Sequence, residues 1–95
     1  MRQADVEGWI VYILRCADGT LYTGITTDVD RRCRQHNDGR ASRYTRSRLP
    51  TRLVYQERQP DRGAALRREA AIKALSRCQK VGLICGTDPR RRNVG

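Results

Sequence analysis

Five residues of this 95-residue sequence have side chains suited to proton transfer or to binding charged groups, and they fall in separate segments. Phenols and imidazoles transfer protons, a guanidinium stabilises negative charge, and a carboxylate holds a cation. A buried charge is costly unless it is paired or coordinates a metal, so such residues fill a core poorly. We therefore interpret the five as lining one cleft. They are Tyr12, Tyr22, Arg32, His36 and Glu69.

Taken singly, each of these residues also fits an ordinary structural role. A strand tyrosine is often a core or rim residue with a hydrogen-bonded hydroxyl. Arg32 and Glu69 could form an ion pair that joins two helices. His36 could cap its own helix, where an imidazolium suits the negative pole. The combination of the five indicates a functional site more strongly than any one of them.

A β-hairpin must position the two tyrosines. A two-residue turn would set Tyr12 and Tyr22 on opposite faces of the sheet, because a slip of one residue reverses every side chain. A three-residue loop over residues 17–19 pairs Tyr12 with Gly24 and puts both tyrosines on one face. We prefer this loop, since Gly19 stands where its left-handed residue must be. The strands predicted from aromatic and β-branched residues are Trp9–Arg15 and Leu21–Ile25.

Helices must position the other three side chains. Thr27 and Asp30 resemble a capping box, and Gly39 ends the helix that follows. The inward stripe of that helix contains Arg32 and His36. Glu69 lies among small and apolar residues of a second helix. The predicted elements are a helix from Asp28 to about Asp38, a long basic loop from Gly39 to Thr51, a strand Leu53–Gln56, a helix from about Arg62 to Leu75, and a helix from the cap Ser76 to about Ile84 before Gly86.

These elements predict an α+β fold, in which a small three-stranded antiparallel sheet is flanked by helices in the order β-β-α-β-α-α. A chain of 95 residues is long enough for one compact domain and too short for two. A multi-step enzyme with separate substrate domains is therefore excluded. We predict a flexible N-terminus over residues 1–8, a single domain over 9–85 and a disordered basic tail over 86–95.

The charge balance favours a polyanionic partner. Twenty Lys and Arg against ten Asp and Glu give a formal net charge of +10, and lysine occurs only at Lys73 and Lys80. Arginine pairs bidentately with phosphate and stacks on bases, so nucleic acid is the expected partner. The alternatives are charge used only for solubility, or docking on an anionic membrane surface. Arginines that bracket an aromatic residue in the long loop predict a backbone-binding and base-stacking surface, or else a solvated loop: Arg43, Tyr44, Arg46 and Arg48.

Other sequence features bear on compartment and redox state. The longest apolar run, Trp9–Leu14, is much shorter than the roughly 20 residues of a membrane-spanning helix. The first residues contain no apolar segment typical of a secretory signal, so a cytoplasmic location is expected. Four cysteines with no C-x-x-C spacing and a single histidine match no zinc module. We expect reduced, mostly buried thiols.

The sequence also resembles a known family. Ile10-Val11-Tyr12 and Tyr22-Thr23-Gly24 are similar to the two half-motifs that give the GIY-YIG nucleases their name. The resemblance continues through an Arg-x-x-x-His helix at Arg32–His36 and through Arg68-Glu69-Ala70, which is similar to the segment with the family's metal-binding glutamate. It extends from about Trp9 to Cys85. The small stand-alone bacterial proteins of that superfamily are the most similar.

This resemblance implies hydrolysis of a phosphodiester bond with one divalent metal. Glu69 would hold Mg²⁺ or another divalent cation, with waters and a phosphate oxygen completing the shell. Tyr12 or Tyr22 would take the proton of the attacking water once a nearby metal and arginine lower its pKa. Arg32 would stabilise charge on the scissile phosphate. His36 would orient the nucleophile, assist proton transfer or contact phosphate.

The function predicted from these features is that of a metal-dependent endonuclease acting on structured or single-stranded DNA. The alternative is a non-catalytic DNA- or RNA-binding module on the same scaffold, and a third reading is a basic RNA- or ribosome-associated protein without nuclease activity. Phosphate contacts carry no sequence information, so specificity would come from substrate shape or from a partner protein. We expect a monomer.

Overall fold

A three-stranded antiparallel sheet with strand order β2-β1-β3 forms the centre of the protein, and helices flank it. The predicted α+β class is therefore confirmed. The computed structural model describes residues 8–86, so the predicted flexible N-terminus and basic tail lie outside the described residues, except for Gly8 and Gly86. The strands are β1 (Trp9–Arg15), β2 (Leu21–Thr26) and β3 (Arg52–Gln59).

The hairpin of β1 and β2 has the register that a three-residue loop predicts. Tyr12 lies opposite Gly24, and the amide of Gly19 donates to the Cys16 carbonyl at 2.9 Å. Gly19 has φ 87°, the left-handed conformation that this loop needs at its third residue. Tyr12 and Tyr22 therefore share one face of the sheet, as predicted.

Within residues 8–86 four helices accompany the sheet, one more than the sequence predicted. Asp28, rather than Thr27, caps the first of them, because its carboxylate accepts from the Arg31 amide at 3.1 Å. Ser76 and Gln79 form a reciprocal capping box on the last helix, where Ser76 was the predicted cap. The helices are α1 (Val29–Asn37), α2 (Arg43–Arg46), α3 (Arg62–Lys73) and α4 (Arg77–Ile84).

Helix α2 lies within the segment that we predicted to be a long irregular loop, so that prediction is wrong for its centre. Ser42 caps α2 by accepting from the Tyr44 amide at 3.1 Å. The Asn37 side chain holds the end of the segment, accepting from the Thr51 amide at 2.7 Å and donating to the Thr51 carbonyl at 3.0 Å. The segment is thus ordered by side-chain hydrogen bonds at both ends.

The two faces of β1 serve different purposes. Val11 and Ile13 are fully buried against Ala65 and Ile72 of α3, and this contact is the main apolar core. Because side chains alternate along a strand, the opposite face of β1 carries Tyr12 towards α1. One face of the sheet therefore supplies the packing energy, and the other presents polar groups.

The cysteines only partly follow the prediction. All four are free thiols; Cys16 is buried and Cys33 is half-buried, whereas Cys78 and Cys85 are exposed. The expectation of mostly buried thiols is wrong for the last two. They lie in and at the end of α4, a helix that buries little of its own surface against the rest of the protein. Within residues 8–86, no helix combines the length and the apolar character needed to cross a bilayer.

Candidate active site

A chain of hydrogen bonds joins Tyr12 of β1 to α1 and α2. The Tyr12 hydroxyl lies 2.9 Å from Nε2 of His36, and Nδ1 of the same imidazole lies 2.8 Å from Oγ1 of Thr45. Thr45 in turn donates to the Ser42 carbonyl at 3.3 Å. Tyr12, His36 and Thr45 are 2%, 1% and 0% exposed, so both imidazole nitrogens are engaged away from solvent. His36 therefore neither caps its own helix nor reaches a phosphate in this arrangement.

The environment keeps both partners of the Tyr12–His36 pair neutral at pH 7. Burial, and then the positive charge of Arg32, lower the pKa of His36 to about 4. Burial raises the pKa of Tyr12 far above its ordinary value, and the neighbouring Tyr22 and Glu69 act in the same direction, whereas Arg32 opposes the rise. A neutral imidazole beside a protonated phenol can accept the phenol's hydrogen bond.

The lowered pKa of His36 predicts that acid weakens the fold. The unfolded chain binds a proton at its ordinary pKa of 6.5, whereas the folded protein resists protonation down to about 4. The unfolded state thus holds more protons between these values, so the free energy of unfolding falls as pH drops through 6.5 towards 4, by about 3 kcal/mol in all. Urea unfolding of the wild type and of His36→Gln across this range measures it. A free energy of unfolding that depends on pH equally in the two proteins would contradict this prediction.

An aromatic group continues the site on the same face. The Tyr22 ring lies 6.5 Å from that of Tyr12, 5.1 Å from His36 and 5.9 Å from Tyr44 of α2, measured between centroids. Tyr22 is half-buried, and its hydroxyl forms no hydrogen bond with any residue in the described part of the chain. Of the two predicted phenols, Tyr22 is thus the accessible one and Tyr12 the buried one.

Gly24 makes room for the Tyr12 ring. A Cβ atom at position 24 would lie 2.5 Å from the Tyr12 hydroxyl oxygen and 2.7 Å from the ring carbon that bears it. Real Cβ atoms essentially never make contacts this short, and the Tyr12 hydroxyl is held by His36. The absence of a side chain at Gly24 therefore fixes where the phenol lies.

Arg32 lies close enough to act electrostatically on both Tyr12 and His36. It is half-buried and forms no ion pair with a carboxylate among residues 8–86, so the alternative of an Arg32–Glu69 pair does not hold there. Its side chain borders a small polar hollow, and its guanidinium is therefore available to an anion. The hollow has a volume of about 140 Å³ and is lined by Thr26, Thr27, Asp28, Arg31, Arg32 and Gln35.

Glu69 projects from α3 with only 19% of its side chain exposed, and its carboxylate lies 3.2 Å from the ammonium of Lys73. Lys73 is 55% exposed, and an ion pair of this kind contributes little. The neighbouring Arg68 donates from Nε to the Glu57 carboxylate of β3 at 2.7 Å. This bond ties α3 to β3 next to Glu69 along the helix.

The donor set at Glu69 fits a hard divalent cation that keeps most of its water. Residues 8–86 contain no cluster of three or more His, Cys, Asp or Glu that could hold a metal, so an all-protein cage is not formed by them. Mg²⁺ is commonly bound through one or two carboxylates, with waters and phosphate oxygens completing the octahedron. A single, mostly buried carboxylate with a weakly held partner meets that requirement.

The four residues predicted to bind nucleic acid lie on and beside α2. Arg43 and Arg46 are exposed, and Tyr44 is 37% exposed. Arg48 differs from them: its Nε donates to Asp18 at 3.1 Å, its Nη1 donates to the Tyr44 carbonyl at 2.8 Å, and its guanidinium lies 4.0 Å from the Tyr44 ring centroid. Arg48 thus holds Tyr44 in place, whereas Arg43 and Arg46 face solvent.

Thr45 is the site residue that the sequence analysis missed. It stands in a basic, turn-rich segment where no periodicity marks a buried position. Its spacing of nine residues from His36 gives no signal either, because α1 ends between them. The only available signal was the Ser42 cap, which predicts a short helical turn and hence an inward-facing position.

These features define a small α+β domain whose polar sheet face holds a phenol–imidazole pair. Arg32, which pairs with no carboxylate within residues 8–86, and the mostly buried Glu69 of α3 both act electrostatically on the phenol. The model of the GIY-YIG catalytic domain matches residues 8–81, and the chain belongs to the GIY-YIG family. The resemblance seen in the sequence is therefore confirmed, and the chain carries a nuclease-type domain.

The relatives of this chain are small proteins of similar length. It is 53% identical over 83 residues to a UPF0213 protein of Desulfotalea psychrophila, covering 86% of this chain and 76% of that protein. It is 51% identical over 74 residues to a UPF0213 protein of Natronomonas pharaonis, covering 78% and 87%. The solution NMR structure of a UPF0213 protein from Bacillus halodurans matches with a TM-score of 0.54 and 47% identity, over 83% of this chain and 84% of that one.

Proposed function

We propose that this protein is a divalent-metal-dependent endonuclease that hydrolyses phosphodiester bonds in structured or single-stranded DNA. One observation carries the proposal: the Tyr12 phenol is hydrogen-bonded to His36 and lies within the electrostatic reach of both Arg32 and Glu69. Those two charges come from helices on separate segments, and neither is neutralised by the other. This arrangement supports a site in which Tyr12 acts as general base, Arg32 stabilises an anion and Glu69 holds a metal.

We assign the role of general base to Tyr12. A neutral phenol accepts a proton only if it gives up its own, and Tyr12 has an acceptor for that proton in His36 Nε2 at 2.9 Å. The attacking water passes a proton to the Tyr12 oxygen, the Tyr12 proton moves to Nε2, and the hydroxide attacks phosphorus. The P–O bond to the leaving nucleotide oxygen breaks as the new bond forms, and that oxygen takes a proton from solvent. Tyr22 has no such acceptor within residues 8–86. Its accessible hydroxyl orients the water or a phosphate oxygen.

Substrate binding itself favours this proton transfer. Burial is the largest cause of the lowered pKa of His36, and the positive charge of Arg32 adds to it. A phosphodiester anion paired with Arg32 offsets that charge and so raises the proton affinity of the imidazole. The base is thus strengthened when the substrate is present.

Arg32 and Glu69 supply the electrostatic part of catalysis. The Arg32 guanidinium would pair with the scissile phosphate and stabilise the charge that develops on it. Glu69 would hold a divalent cation, and that cation supplies a Lewis acid for the phosphate. The cation would replace the contact between Glu69 and the exposed Lys73.

The exposed side of α2 is the surface that we propose for the rest of the substrate. Arg43 and Arg46 lie in solvent beside Tyr44, whose ring lies 5.9 Å from that of Tyr22. Arginines track the phosphate backbone without reading sequence, and an aromatic ring stacks with any unpaired base. The surface therefore favours DNA with an unpaired or distorted segment over a plain duplex.

The direct test is cleavage by the purified protein of single-stranded, duplex and branched DNA, and of RNA, with Mg²⁺ or with a chelator. We expect cutting of branched or single-stranded DNA that requires the metal. Failure to cut any of these substrates with any divalent cation would contradict the proposal.

A second candidate function has one observation in its favour. Tyr12 and His36 are 2% and 1% exposed, so the catalytic pair is almost closed to solvent in this conformation. A non-catalytic DNA- or RNA-binding module would keep such a pair only as a structural element. Salt-dependent binding without cleavage of any substrate would establish this alternative.

A further inference from the structure

We propose that Thr45 is a positioning residue that fixes the tautomer of His36, so that Nδ1 carries the hydrogen and Nε2 is free to accept a proton from Tyr12. The structural part of this inference stands on hydrogen-bond geometry alone. Its consequence for catalysis rests on the proposed function.

The direction of the hydrogen bonds follows from the Ser42 carbonyl, at which the series of bonds from Tyr12 through His36 and Thr45 ends. A carbonyl only accepts, so the hydroxyl of Thr45 must donate to the Ser42 carbonyl, 3.3 Å away. A hydroxyl has a single hydrogen, and Thr45 Oγ1 therefore accepts at its contact of 2.8 Å with His36 Nδ1. Nδ1 must then carry the imidazole hydrogen, which leaves the lone pair on Nε2.

The opposite arrangement leaves a buried hydrogen without an acceptor. If Nε2 carried the hydrogen, the Tyr12 oxygen would have to accept it at 2.9 Å. The phenolic hydrogen would then need another acceptor, although Tyr12 is only 2% exposed and its hydroxyl has no second partner in the described chain. The Thr45–Ser42 bond would be lost as well. Buried polar hydrogens are rarely left unsatisfied, so the first arrangement is favoured.

The position of Thr45 suits this role. Thr45 is fully buried in α2, a helix of four residues. Ser42 caps this helix, and its carbonyl accepts from the Thr45 hydroxyl. The hydroxyl is thereby held between a fixed backbone carbonyl and the imidazole. Which nitrogen of a histidine can take a proton is set by the partner of the other nitrogen, and α2 supplies that partner here.

The experiment uses the fact that the chain contains one histidine, so ¹⁵N-histidine labelling gives a single pair of ring nitrogen signals. At neutral pH we expect the wild type to show a protonated Nδ1 and an unprotonated Nε2. In Thr45→Val, which keeps the shape and removes the hydroxyl, the Nδ1–H form should lose population. The kcat of DNA cleavage should fall about 10- to 100-fold with little change in KM. Thr45→Ser should restore both.

The outcomes separate this inference from the proposed function. A wild-type histidine protonated on Nε2, or a Thr45→Val protein that keeps the wild-type tautomer, overturns the role of Thr45 whether or not the protein cuts DNA. The expected tautomers without cleavage by the wild type support the positioning of His36 and contradict the endonuclease proposal instead. The wild-type spectrum requires no variant, so the tautomer of His36 can still be tested if Thr45→Val does not fold.

Discussion

Glu69→Ala should abolish DNA cleavage while DNA binding persists. The carboxylate of Glu69 is mostly buried, and it is the one group that we assign to the metal. A metal Lewis acid contributes several kcal/mol to the transition state of phosphoryl transfer, so we expect a loss of about 10³-fold or more in the cleavage rate. Affinity for DNA should stay the same or rise slightly, because the substitution removes a negative charge from a basic protein.

Lys73→Ala is the matched control for this result. It breaks the same ion pair but leaves the carboxylate in place, so cleavage should remain near that of the wild type. Cleavage rates measured at saturating Mg²⁺, together with binding curves at matched salt, distinguish the two variants. A Glu69→Ala protein that cuts DNA as fast as the wild type would remove Glu69 from the site.

Tyr12→Phe should lower the cleavage rate by about 10²- to 10⁴-fold, the range expected for loss of a general base. The substitution keeps the ring that packs over Gly24 and removes only the hydroxyl bonded to His36. It also leaves Nε2 of His36 buried without a partner, at a cost of about 1–3 kcal/mol in the free energy of unfolding. Single-turnover cleavage at saturating protein measures the chemical step, and urea unfolding measures the stability.

Substitutions at two other tyrosines serve as comparisons for the cleavage rate of Tyr12→Phe. Tyr55→Phe removes a phenol hydroxyl that donates to Glu57 of the same strand. Tyr55 packs on the sheet face opposite to Tyr12, so cleavage should be unchanged. Tyr22→Phe should reduce cleavage less than Tyr12→Phe, because Tyr22 has no proton acceptor in the described chain. The reverse order of the Tyr12 and Tyr22 variants would move the base to Tyr22.

The hairpin and three of the helices, α1, α3 and α4, could be predicted because local residues determine them. Gly19 fixes the loop length, and the loop length fixes which face carries both tyrosines. Ser76 and Gly39 mark helix ends through capping and left-handed geometry, which act within one turn. A pattern of alternating residues then decides which side of β1 is core.

Other features could not be predicted because tertiary contacts determine them. A helix of four residues such as α2 is not stable alone, and this one is held by the buried contact between Thr45 and His36. Strand β3 extends to Gln59 beyond the predicted Gln56 because it continues to pair with β1, and its Glu57 side chain accepts from Arg68 of α3. The burial of His36, on which the site depends, likewise results from contacts among three elements, namely β1, α1 and α2, and no local sequence pattern indicates it.

The close approach of Tyr12 to Gly24 links the two half-motifs of the family name through one steric contact. The tyrosine of the first and the glycine of the second, opposite each other across the hairpin, have complementary volumes, since the phenol occupies the space that any larger residue at position 24 would need. The two positions act as one steric unit. A larger residue at 24 therefore requires the Tyr12 ring to shift, and that shift would move its hydroxyl away from Nε2 of His36.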